Sequence, residues 1–124
     1  MNRILLLVFV LLALSFLILV TTQNNALQIS RSSSPSTNCA NPCTIGISNN
    51  RFDGGREVII TRETAVTWRN YDPVAHTATS SSHIRDTGVL PPGSESPPVV
   101  FLVDGSFLYH CSISLSQGVI VVIG

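Results

Sequence analysis

The sequence contains no lysine: its seven basic residues are all arginine, seven acidic residues balance them, and the formal net charge is zero. No basic stripe forms, so nucleic acid and other polyanions are excluded as partners. Helical periodicity is also missing. After Val20 no stretch keeps apolar residues on a 3.6-residue period for ten positions, which excludes a helical bundle and favours strands. With only three cysteines a disulfide framework cannot carry the fold. No carboxylate pair has an interpretable spacing, no cysteine–histidine pair is visibly oriented by a third group, and Asp53-Gly54-Gly55 is a turn with no helix after it. The chain therefore reads as no enzyme.

What is present falls into three parts. Residues 1–20 hold Arg3 and then an uncharged apolar run, Ile4 to Val20, at the lower limit for a membrane span and longer than the usual apolar region of a signal peptide. It is a signal anchor or a cleaved signal, and either places the remainder outside the cytoplasm, with the membrane as a partner through this segment. Residues 21–38 are polar and serine-rich, a tether. Residues 39–124 form one small all-β domain, with strands expected near Thr44–Ser48, Glu57–Thr61, Thr64–Arg69, His76–Thr79, Val99–Val103, Ser106–Cys111 and Val119–Ile123. Asp104-Gly105 signals a two-residue hairpin between the fifth and sixth of these. The stretch from Ser80 to Pro98 wraps one end.

Cys39 and Cys43, four apart in an exported chain, are expected to pair, fastening the domain's start; a thiol pair awaiting metal or a partner is the alternative. Cys111 is then the odd thiol. Alternation in "FLYHC" puts it on one face with Phe107 and Tyr109, opposite Leu108 and His110. It is either a small buried hydrophobe or a thiolate ligand for a soft metal.

Two segments resemble the cupredoxins, the small blue-copper domains of the plastocyanin and amicyanin type. "ETAVTWRNYDPVAHTATS" is similar to the family's strand and loop ending at the first histidine ligand, here His76. "DTGVLPPGSE" and "GSFLYHCSI" resemble the next loop and the strand that ends at the ligand cysteine, here Cys111. The resemblance implies a Greek-key β-sandwich over roughly Thr44 to Gly124 and a copper protein that passes single electrons to a redox partner; with the apolar run before it, that carrier is expected to be membrane-tethered or exported. Its implied metal ligands are His76, Cys111 and, in the axial place, Gln117. Where the family has a second histidine this chain has Ser114, leaving the site open. His83 is a loop histidine that either folds back as substitute or stays solvated, and His110 faces away from Cys111. The alternative function is a copper-free cupredoxin module serving as an interaction or structural domain.

Overall fold

The structure, a computed structural model, describes residues 2–26, 33–82 and 85–124. The chain divides into two units, Met1–Ser33 and Ser34–Gly124. The first contains helix α1, Arg3–Ala26. From Ile4 to Leu14 its large apolar side chains are all exposed, on every side of the helix. Among the described residues no helix is long and apolar enough to cross a membrane.

The second unit is a sandwich of two sheets. One has five strands in the order β1 (Ser36–Asn38), β4 (Glu57–Thr61), β9 (Gln117–Ile123), β8 (Gly105–His110), β6 (Thr79–Ser80). The other has four, in the order β3 (Arg51–Phe52), β2 (Cys43–Ser48), β5 (Ala65–Asn70), β7 (Val99–Val100). Strict alternation builds the core: Cys43, Ile45 and Ile47 of β2, Val58 and Ile60 of β4, Val66 and Trp68 of β5, and Ile120 and Val122 of β9 all point inward and are buried. Each fully buried branched side chain stabilises the fold by about 1.5–3 kcal/mol. Parallel pairing of β2 with β5 and of β4 with β9 means that the chain repeatedly crosses between sheets, as expected of a Greek-key sandwich. The all-β sandwich read from the sequence is what the chain forms.

Three details differ from expectation. First, β1 lies in the stretch read as tether; it adds parallel to β4, with Glu57 N–H also donating to the Pro35 carbonyl, so residues from Ser34 onward join the folded unit. Backbone pairing needs no apolar side chains, which is why a polar segment can supply an edge strand. Second, Asp104-Gly105 does not close a hairpin: β7 pairs with β5 in the four-stranded sheet, whereas β8 pairs with β9 and β6 in the other. The intervening residues carry the chain across the sandwich, and Gly105 supplies a φ of 145° where β8 begins. Third, the strand expected at His76–Thr79 is regular only from Thr79; His76 itself makes an isolated antiparallel bridge to Leu90. The expected disulfide is formed between Cys39 and Cys43.

Around the core aromatics, Tyr109 packs edge-on against Phe52 and Trp68, with ring centroids 4.7 and 5.5 Å apart. Its ring lies over Gly118, opposite it on β9; a Cβ there would overlap the phenol carbon and its hydroxyl. Gly118→Ala should therefore destabilise the domain by about 3 kcal/mol, the upper part of the range for overpacking a core. Urea denaturation reads this, and a loss below about 1 kcal/mol would mean that Tyr109 moves aside freely.

Candidate metal centre

The site is assembled from loops at one end of the sandwich, beginning with Asn70 at the end of β5. Asn70 is fully buried. Its Nδ2 donates to the carbonyls of Val74 (2.7 Å) and Leu90 (2.9 Å), and its Oδ1 accepts from the Asp72 N–H (2.9 Å). The loop leading to His76 is thus wound around one amide, using both its donors and its acceptor.

Asp72, so placed, turns its carboxylate toward the tight turn between β2 and β3. Asn49 and Asn50 both adopt positive φ there, 51° and 56°, a conformation that asparagine tolerates. Their N–H groups donate to Asp72 Oδ1 (2.6 Å) and Oδ2 (2.9 Å). Burial pushes the carboxyl's pKa up, but these two donors and His76 outweigh it and hold it below the ordinary value.

His76 is 1% exposed, and its backbone exchanges two hydrogen bonds with Leu90. Its Nε2 lies 2.8 Å from Asp72 Oδ2 and its Nδ1 lies 3.6 Å from Cys111 Sγ. Desolvation disfavours the imidazolium, yet the neighbouring Cys111 and Asp72 raise its pKa above the usual histidine value.

Cys111 follows β8 directly, where alternation turns its side chain inward beside Tyr109, and it is 3% exposed. Its Sγ accepts from the Thr77 N–H at 3.3 Å. Burial would raise the thiol's pKa; the Ser114 hydroxyl, the N–H groups of Thr77 and Ile113, and His76 together bring it down to about 6. The following loop closes on itself: Cys111 N–H donates to the Ser116 carbonyl (2.9 Å), and the Ser114 and Ser116 hydroxyls lie 3.0 Å apart. The Ser116 hydroxyl also donates to the Asn50 carbonyl.

The structure therefore brings together two of the three residues implied as ligands. Gln117 begins β9 in register with His110 and is exposed, on the face opposite the buried Gly118 and Ile120. His110 is half-buried on the outward face of β8. His83 lies outside the described residues. Among the described residues no group of three or more His, Cys, Asp or Glu side chains converges as a ready metal cage. Asp72 is the participant that reading the sequence missed. Its signal was the four-residue spacing in "DPVAH", which supplies the orienting third group thought to be absent. Around the buried pair, Tyr71, Val74, Val89, Ile113 and Leu115 stand exposed on the surrounding loops.

No family profile matches the sequence, and no curated protein matches it. Solved structures do. A copper-containing nitrite reductase from Thermus scotoductus SA-01 superposes with a TM-score of 0.60 at 23% identity over 67% of this chain, which spans only 22% of that enzyme. Amicyanin, as the Cu(I) form of a methionine-to-alanine variant, superposes with a TM-score of 0.58 at 17% identity, covering 64% of this chain and 80% of its own. A purple cupredoxin from Nitrosopumilus maritimus gives 0.57 at 23% identity, covering 64% of this chain and 98% of its own. The fold is that of the cupredoxins.

Proposed function

We propose that this chain is an exported copper-binding protein that carries single electrons, with Cys111 Sγ and His76 Nδ1 as its protein donors. The observation that carries the reading is the pairing of a buried thiol and an imidazole nitrogen 3.6 Å apart, at one end of a cupredoxin sandwich. Thiolate and imidazole are the donor types that copper sites use, and one ion can reach both across that separation. Bound copper would supply a one-electron couple. The chain's own residues do the rest: the Thr77 N–H stabilises negative charge on Sγ, burial keeps water from it, and the apolar side chains of the surrounding loops offer a redox partner a contact surface.

Ser114 stands where the resemblance has a second imidazole, so the site departs from an ordinary blue centre; this same residue favours the alternative of a copper-free interaction module. Titrating Cu(II) into the chain with Cys111 reduced should give stoichiometric binding and an intense visible thiolate-to-copper band. Ser114→His should shift that band toward the ordinary blue spectrum. A reduced thiol with no band would defeat the copper reading and leave the module.

The N-terminal part of α1, apolar and exposed from Ile4 to Leu14, belongs to the proposed export and tethering segment, since a helical surface apolar on every side needs lipid or cleavage to dispose of it. Mass spectrometry of the membrane-bound protein should find an N-terminus before Thr22. One between Thr22 and Cys39 would identify a cleaved signal instead.

A further inference from the structure

We infer that Asp72 is a positioning residue that fixes which nitrogen of His76 carries the proton, so that the Nδ1 lone pair is the one presented to Cys111. A carboxylate accepts hydrogen bonds and donates none. Oδ2 lies 2.8 Å from Nε2, so Nε2 must be the donor, and a neutral ring with its proton on Nε2 has its free lone pair on Nδ1. At alkaline pH both neighbours of the ring are acceptors, and the closer one decides: the opposite tautomer would gain a long N–H contact to a sulfur 3.6 Å away and set a lone pair against the carboxylate oxygen 2.8 Å away.

The carboxylate is itself held in place. Asn49 N–H occupies Oδ1, Asn50 N–H occupies Oδ2, and the Asp72 backbone N–H is tied to Asn70 Oδ1. Rotating its oxygens away from His76 would abandon both backbone donors. Nor can the ring simply turn over: it is 1% exposed, its backbone is bridged to Leu90, and a flip would place ring carbons against both Oδ2 and Sγ. The ring is thus ready for a metal on the sulfur side before any metal arrives. The use of that readiness rests on the proposed copper function, but the tautomer itself does not. Carboxylate partners of ligating histidines typically contribute 10–100-fold in metal affinity.

The test uses the full chain in detergent micelles, metal-free and with histidine labelled with nitrogen-15, at alkaline pH where the ring is neutral. Nuclear magnetic resonance should place the His76 proton on Nε2 alone. A proton on Nδ1 overturns the inference whatever copper does. In Asp72→Asn a single amide oxygen faces three N–H donors; in Asp72→Ala no acceptor remains. In both, the Nε2 preference should be lost and Cu(II) affinity should fall by about 10–100-fold. Retention of a sole Nε2 proton together with wild-type affinity in either folded variant also overturns it. Should neither variant fold, the wild-type tautomer decides. Wild-type protein with its proton on Nε2 but no affinity for Cu(II) would defeat the copper reading and leave this inference standing.

Discussion

Asn70→Ala should cost the domain about 3–5 kcal/mol and abolish the copper-dependent visible band. The truncation strands the Val74 and Leu90 carbonyls and the Asp72 N–H, and each buried polar group left without a partner costs about 1–3 kcal/mol. It also opens a cavity at a fully buried position. Freed from Asn70, the loop no longer places Asp72 against Asn49 and Asn50, and His76 loses its support. Asn70→Asp should be no better, because a carboxylate accepts from Asp72 N–H but cannot donate to two carbonyls. Urea denaturation of both variants measures the loss. A change below about 1 kcal/mol in either would mean that water or a shifted loop replaces the amide.

The second large effect is on Cys111. In the metal-free chain its thiolate absorbance in the ultraviolet should rise with a midpoint at about pH 6, where an unperturbed thiol ionises near 9.0, and Cys111→Ser should erase the step. No other thiol competes, since Cys39 and Cys43 are bonded. The depressed folded-state pKa gives a stabilisation present above the unfolded value and progressively lost as pH falls from 9.0 toward 6. His76 works in the opposite sense. Its pKa is raised, so its contribution is complete below 6.5 and lost as pH climbs past the folded-state value. Thiolate and imidazolium coexist in a window opening near pH 6 and closing at that raised value. A midpoint above about 8 would refute the pairing as the cause. The same Cys111→Ser change should eliminate the copper band, because serine offers no soft donor.

The sandwich was legible because alternation is a local signal: β2, β4, β5 and β9 each bury every second residue, and each expected strand overlaps the observed one. What escaped was non-local. Nothing in Val99–Gly105 announces that β7 and β8 belong to different sheets, because sheet membership depends on which strand has an edge left to pair, here β5 at Ala65 and Val66. The polar β1 was invisible for a related reason, since an edge strand is recruited by backbone pairing rather than by its side chains. In the site, His76 and Cys111 stood out through chemistry and the resemblance. Asp72 did not, because its role depends on a turn more than twenty residues earlier in the chain. Gln117 was placed by counting along a loop, and one residue of register at the start of β9 decides which face it takes.

The Asn49–Asn50 turn touches both halves of the pair. Its N–H groups hold Asp72, which braces His76, while the Asn50 carbonyl receives the Ser116 hydroxyl from the loop that follows Cys111. Two segments separated by 35 residues are thereby fastened to one short piece of backbone that neither contains. A charge arriving at such a pair would meet donors tied to a common turn, so the proposed electron transfer should need little rearrangement around it. Loosening the turn would slow the exchange of electrons even with every donor atom retained.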